Sequence, residues 1–311
     1  MEVHQLRYFV AVAEHRNFSR AAERMRVAQP SLSQQIQKLE AEMGQPLFDR
    51  LARGVMPTEA GRRLLTHAHR ILADLAEARR CGDECREGVA GAVSIGIIPT
   101  IAPYVLRPIL TACRAEHAEL KIEVLEDVTE NLVRALEDGE IDLAIVSTCR
   151  SGAAVHRELW AREPFLAALP ETHRLAKRKR LSWKNLPSEP VLMLHETHCL
   201  SRQIRRWCGR HGICPQAALP AVQLSTIVAM VAAGQGISLL PQMAVAHEQN
   251  RGCTFISLGE SAPEREINVL RNSSRYRSKA AAALSEVART VINATIARLL
   301  HEKKIERRVI E

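Results

Sequence analysis

The segment HCLSRQIRRWC, from His198 to Cys208, sets two thiols nine positions apart among three arginines and a histidine. Its pattern reads as the start of a helix. Nine residues along an α-helix rise roughly 13.5 Å and leave the two positions on nearly opposite faces. A disulfide needs Cα atoms about 5.5–6 Å apart. Either the thiols are unrelated, or they form a pair that joins only when the helix opens. Cys199 stands at the start of that helix, and a helix N-terminus and nearby cations lower a thiol pKa. His198 and Arg202 are both close in sequence. A thiolate there is oxidisable to a sulfenic acid, and Cys208 is the obvious resolving thiol. The competing reading is that both cysteines are small apolar fillers, as most free cysteines are.

The chain that positions these residues has 311 of them, enough for two or three domains with real cores. Apolar residues make up 46% and charged ones 25%, ordinary for a soluble globular protein. A formal net charge of +8 favours a polyanionic partner. No apolar run approaches a bilayer span, and MEVHQLRYFV has no signal-peptide features, so the expectation is a cytoplasmic protein without membrane contact. In that compartment the default state of its eight cysteines is the free thiol. There is no Walker A loop, no zinc-like Cys/His spacing and no serine nucleophile elbow, so neither a cofactor nor a metal nor an enzymatic activity is expected. A thiol peroxidase or disulfide oxidoreductase usually shows a Cys-x-x-Cys on a compact α/β unit, and a solute-binding protein would need export.

In the first ninety residues, Leu6, Phe9, Val10 and Ala13 mark an amphipathic helix. Ser19 is the expected N-cap of a short second helix through Ala21, Ala22 and Met25. Pro30 suits the first turn of a third, in which Leu32, Ile36, Leu39 and Met43 share one face. Gln34 and Gln37 lie opposite, with Gln29, Ser31 and Ser33 near its start. Glutamine can make two hydrogen bonds to an adenine edge, and serine can bond a base or a phosphate. A short helix, a tight turn and a polar-faced helix make a helix-turn-helix. Gly44 ends the third helix, and two short strands around Arg53 and Gly54 then form a wing that offers Arg50 and Arg53 to phosphates. From Thr58 to about Arg86 a long helix carries a narrow seam, Leu65, Ala68, Leu72 and Leu75, suited to a partner helix. The plainer alternative is packing onto its own domain. Cys81 and Cys85 on that helix read as structural.

Beyond residue 90, strands alternate with helices: Val93–Ile98, Ile122–Leu125, Leu143–Val146, Val191–Leu194, Ile237–Leu240, Thr254–Leu258 and Ile267–Leu270 are strand candidates, and Tyr104–Cys113 and Glu130–Asp138 helices. The alternation argues for parallel sheets in an α/β fold. Such sheets bind ligands at the carboxyl ends of strands. Thr100, just after the first strand, and Thr129, at the start of a helix, lie where that site should open, although either could serve as a helix cap. The Gly-Gln-Gly after residue 233 reads as a tight turn.

LRYFVAVAEHRNFSRAAERMRVAQPSLSQQIQKLEAEMGQPLFDR, PTEAG and the length resemble the LysR-type transcriptional regulators over residues 1–300. The resemblance implies a winged helix-turn-helix (1–60), a dimerising linker helix (61–90), and an effector domain of two α/β subdomains similar to periplasmic binding proteins (91–300), followed by a charged tail (301–311). It places crossovers near 162–164 and 266–269. It implies a homodimer or homotetramer on double-stranded operator DNA, with RNA polymerase as a candidate partner. HETHCLSRQIRRWC and PTIAPYVLRPIL further resemble the hydrogen-peroxide-sensing OxyR branch. That implies Cys199 and Cys208 as a thiol–disulfide switch, with Thr100, Thr129, His198 and Arg265 around the peroxide. The chain departs from the branch at Arg202, where an acidic residue is common, and at Ser225 and Val228, where a Glu and an Arg can stand. Cys214 is an extra thiol that could compete with Cys208. The rival within the same family is a regulator answering a small carboxylate or aromatic metabolite in the effector cleft, with inert cysteines.

Overall fold

The structure is a computed structural model that describes residues 1–51, 54–83, 89–147, 155–182, 186, 190–212, 223–248, 252–259 and 262–308. The side chains of residues 50, 51, 76, 77, 79–83 and 301–308 are outside that description. Two compact units emerge, the first holding Met1–Glu87 and the second beginning at Gly88.

In the first unit, α1 (Val3–His15), α2 (Phe18–Met25) and α3 (Gln29–Met43) bury Leu6, Phe9, Ala21, Ala22, Leu32, Ile36 and Leu39 in one cluster. Asn17, not Ser19, caps α2: its side chain accepts from the Arg20 amide at 3.0 Å. Asparagine and serine are near-equal caps, and the turn places Asn17 at the extended position before the helix while Ser19 falls inside its first turn. Pro30 sits in the first turn of α3, as its missing N–H allows. Strands β1 (Phe48–Leu51) and β2 (Gly54–Pro57) pair antiparallel and lead into α4 (Glu59–Asp83).

The PTEAG motif has a local explanation. The Thr58 hydroxyl donates to the Pro46 carbonyl at 2.9 Å and accepts from the Gly61 amide at 3.0 Å, so one side chain caps α4 and ties it to the segment before β1. A Cβ on Gly61 would lie 2.1 Å from the Leu47 carbonyl oxygen, so only glycine allows that approach. Gly61→Ala is therefore expected to destabilise this unit by about 1–3 kcal/mol, the usual cost of overpacking. Hydrogen exchange of the α1 and α3 amides reads it, and unchanged exchange would mean the contact relaxes freely. The seam expected on α4 is partly used within its own unit. Ala68 is fully buried in the helix-turn-helix cluster beside Leu64, and Leu65 and Leu72 pack against the same cluster.

The second unit runs β3 (Gly91–Ile97), α5 (Ala102–Glu116), β4 (Leu120–Glu126), α6 (Thr129–Asp138), β5 (Leu143–Val146), β6 (Val155–Pro170), β7 (Val191–Leu192), α7 (Cys199–Arg210), α8 (Leu224–Ala232), β8 (Ile237–Pro241), α9 (Gln242–His247), β9 (Cys253–Ser257), β10 (Glu264–Asn272) and α10 (Lys279–Arg308). One sheet is ordered β4-β3-β5-β10-β6-β8-β7, with β9 also on β6. The expected all-parallel pairing is corrected here. Among the named strands of the described residues, β3 with β4, β3 with β5, and β7 with β8 are parallel, whereas β6 and β10 run antiparallel to each strand they pair with. These two long strands make the sheet mixed. They join the β4-β3-β5 part to the β8-β7 part and pair with each other, Arg162 opposite Glu266, Glu163 opposite Arg265 and Pro164 opposite Glu264.

Candidate functional site

Helix α7 carries both thiols of the opening motif. Cys199 is its first residue and Cys208 lies in its last turn, and both are buried free thiols. Leu200, Ile204 and Cys208 fall at four-residue spacing and are all buried, so they form the apolar stripe that seats the helix. Burial pushes the Cys208 thiol up to about 11. In this dithiol state Cys208 is a core residue, and a bond to Cys199 requires unwinding the helix, since the two ends are separated by about 13.5 Å of helical rise. The Ser201 hydroxyl donates to the Leu194 carbonyl at 2.7 Å and fixes the first turn.

The expected cationic surroundings of Cys199 are corrected. His198 is the N-cap, is 4% exposed, and makes no side-chain capping bond. Burial, reinforced by the nearby charge of His195, lowers the His198 pKa below its ordinary value, so at neutral pH it is an uncharged imidazole. Arg202 points its charge elsewhere, into a 2.6 Å ion pair with Glu130 on α6.

Thr100 and Arg265 are brought together. Arg265 donates from Nη1 to the Thr100 hydroxyl at 3.1 Å and from Nη2 to the Thr100 carbonyl at 3.0 Å. Its Nε donates to Glu163, whose other carboxylate oxygen accepts the Met243 amide at 3.0 Å. Both charged side chains are fully buried. Sequence reasoning missed Glu163. Residue 163 lies in a polar stretch, and only the register that sets it opposite Arg265 reveals the pair. Arg265 is thereby a clamp that holds Thr100, with three of its donors engaged. The turn after β3, the start of α9 and both long strands meet at this one ion pair.

Thr129 opens α6, is 5% exposed, and its hydroxyl has no hydrogen-bond partner among the described residues. It does not cap the helix, which removes the competing reading given above. The buried Asn268 Oδ1 is likewise without a partner, while its amide donates to the Ser147 carbonyl at 2.8 Å. Gln203 on α7 donates to the Ser147 hydroxyl at 2.9 Å. Buried polar atoms left unsatisfied are rare and mark places where a small polar molecule can be bound. Gln203 also lines a cavity of about 300 Å³, together with Phe165, Arg206, Trp207, Arg210 and Glu266 among others. Val228 is wholly buried and its carbonyl accepts from the Cys253 thiol, so an arginine could not replace it there without rearrangement.

On the first unit, Gln29, Pro30, Ser31, Gln34 and Gln37 are exposed and Ser33 is half-buried, so the polar side of α3 is open. The side chain of Arg50, and Arg53, Cys85 and Cys214 entirely, lie outside the described residues, as does the side chain of Cys81. Among the described residues no group of three or more His, Cys, Asp or Glu could hold a metal ion, and no helix is long and apolar enough to cross a membrane.

Comparison with known proteins adds the following. Residues 3–62 match the model for bacterial regulatory helix-turn-helix proteins of the lysR family, and residues 86–293 that for the LysR substrate binding domain. The DNA-binding transcriptional dual regulator OxyR of Escherichia coli K12 is 36% identical over 281 residues, 90% of this chain and 92% of that one. A hydrogen peroxide-inducible genes activator of Dickeya chrysanthemi is 35% identical over 268 residues, covering 86% and 88%. Among solved structures, a full-length OxyR variant from Pseudomonas aeruginosa superposes with a TM-score of 0.76 at 28% identity, over 93% of this chain and 98% of that one.

Proposed function

The chain belongs to the LysR family of transcriptional regulators, and from that premise we propose that it is a DNA-binding regulator switched by hydrogen peroxide through a disulfide between Cys199 and Cys208. The observation that carries this reading is the placement of two buried thiols at opposite ends of one short helix, the first at its N-terminal turn. Two relatives that are about one-third identical bear peroxide-responsive names.

In this mechanism the Cys199 thiolate attacks one oxygen of peroxide and the O–O bond breaks. The other oxygen leaves as hydroxide and takes a proton to become water. Cys199 is now a sulfenic acid, oxidised by two electrons. The Thr129 hydroxyl and neutral His198 bind and orient the peroxide, and Arg265 acts indirectly by holding Thr100. Helix α7 then unwinds, the Cys208 sulfur attacks that of Cys199, the S–S bond forms as the S–O bond breaks, and water leaves. Repacking of the effector unit is the two-state element that changes how a homodimer or homotetramer sits on DNA.

The test is peptide mapping of Cys199 and Cys208 after a low dose of peroxide, alongside a footprint on the operator. A Cys199–Cys208 disulfide and a shifted footprint support the reading. Free thiols together with a footprint moved by a small organic acid would replace it with the metabolite-sensing alternative. That alternative has its own support in the cavity beside α7, whose Arg206, Arg210 and Trp207 suit an aromatic carboxylate. The DNA-reading assignment is separable. Gln34 is exposed mid-helix on α3, so Gln34→Ala should cost about 1–3 kcal/mol of discrimination between operator and random DNA while leaving non-specific affinity in place. Equal losses on both DNAs would mean Gln34 touches phosphate.

A further inference from the structure

We propose that Arg202 and Glu130 form a latch that holds the first turn of α7 closed, making both positioning residues for the thiol switch. Arg202 lies one helical turn after Cys199, and Glu130 directly follows Thr129 at the start of α6. The two side chains meet at 2.6 Å, and a second Arg202 nitrogen reaches the Glu196 carbonyl at 3.5 Å. One guanidinium therefore ties the start of α7 both to α6 and to the loop before α7.

A neighbouring contact acts in the same place. Gln203 donates to the Ser147 hydroxyl just beyond β5, so two consecutive residues of α7 bind α6 and the segment after β5, both earlier in the chain. Arg205 adds a 2.7 Å pair with Glu196 on the loop itself. The ties to α6, to Ser147 and to the loop before α7 are polar, whereas the stripe of Leu200, Ile204 and Cys208 packs into the apolar core. Unwinding α7 must break the polar ties and pull the stripe from the core. The apolar loss is common to any such helix. The ion pair is a further tie that depends on the residue types at 130 and 202. An acid at 202 could not pair with Glu130.

The magnitude is bounded by exposure. The two side chains are 48% and 51% exposed, so the pair adjusts the opening equilibrium without dominating it, on the order of 2–5-fold for an ion pair in such a setting. Salt should screen it, since the Debye length falls to about 3 Å at 1 M ionic strength.

The inference rests on the proposed redox reading for its purpose, and the experiment separates the two. Hydrogen exchange of the Ser201–Ile204 amides in the reduced full-length protein reads opening without any oxidation. Glu130→Gln and Arg202→Gln should each exchange about 2–5-fold faster at low salt. The difference should vanish at 1 M salt, and the charge-swapped double variant Glu130→Arg with Arg202→Glu should return toward wild-type exchange. Equal exchange in all four proteins, or a double variant as fast as the singles, overturns the latch. Peroxide is then added and dimedone traps sulfenic acid. The latch predicts unchanged formation of Cys199 sulfenic acid and about 2–5-fold faster disulfide closure in the single variants. A Cys199 that never oxidises in any of the proteins would sink the redox reading while the exchange result still decides the latch.

Discussion

Glu163→Ala should destabilise the effector unit by about 3–5 kcal/mol, the cost of removing one partner from a buried ion pair. The reason lies in what remains. Arg265 is fully buried, so without Glu163 its guanidinium keeps, among the described residues, the two oxygens of Thr100 as acceptors. The Met243 amide loses its acceptor as well. Desolvation of an uncompensated charge outweighs every other term at this site. Replacing both residues together, with Glu163→Met and Arg265→Met, should cost far less, because an apolar pair of similar volume carries no such penalty. Urea unfolding followed by tryptophan fluorescence isolates this unit, since all three tryptophans lie at or beyond residue 160. A Glu163→Ala loss below about 1 kcal/mol would show that water reaches Arg265 and that the pair is not the clamp between the long strands.

That clamp also shows where sequence reasoning reaches its limit. Helical periodicity located α1, α3, α5 and α6, because the buried residues of each recur at helical spacing and that spacing survives in one dimension. The winged helix-turn-helix was legible for the same reason. Strand β6 was not. Its first half, from Val155 to Pro164, buries only alternate or scattered positions among Arg157, Glu158, Arg162 and Glu163, whereas its second half is wholly buried. One strand thus pairs first with β10 and then with β8 and β9, and no single period describes it. The short β7 was overread for the opposite reason: of the apolar run Val191–Leu194, only Val191 and Leu192 find a strand partner.

The site was legible by residue type but not by partnership. Thr100, Thr129, His198, Cys199, Cys208 and Arg265 are all buried, yet four of the six stand in arrangements that spacing could not give. Arg265 serves Thr100, with Glu163 as its counter-ion. Burial lowers the His198 pKa and favours the neutral imidazole where a cation was expected. The Thr129 hydroxyl has no hydrogen-bond partner among the described residues, where a helix cap was an equal alternative. Each of these depends on contacts between residues far apart in sequence, and those contacts are set by the mixed sheet.

Cys199→Ser should abolish the peroxide-induced footprint and leave basal operator binding intact. Cys208→Ser should still be oxidised at Cys199, but stall as a sulfenic acid or form a mixed bond with Cys214. Thr129→Val should slow the first step without preventing it, since it removes a hydroxyl from the peroxide and not the nucleophile. The order of the later events is open to measurement through pH. A thiolate is needed to attack the sulfenic sulfur, and in the closed helix burial holds Cys208 up to about 11. Were it to attack from there, only about one part in 10⁴ would be ionised at pH 7, and closure would keep rising roughly tenfold per pH unit past pH 10. If oxidation of Cys199 leaves the helix open, Cys208 stands in water, its pKa returns toward about 8.5, and the rate levels off near pH 9. The second profile is expected, because the rise along α7 forbids the S–S bond until the helix has opened. Closure measured by rapid quench from preformed Cys199 sulfenic acid decides the matter. A rate still climbing at pH 10.5 would mean that Cys208 stays buried after Cys199 is oxidised, and that the helix is not already open when closure begins.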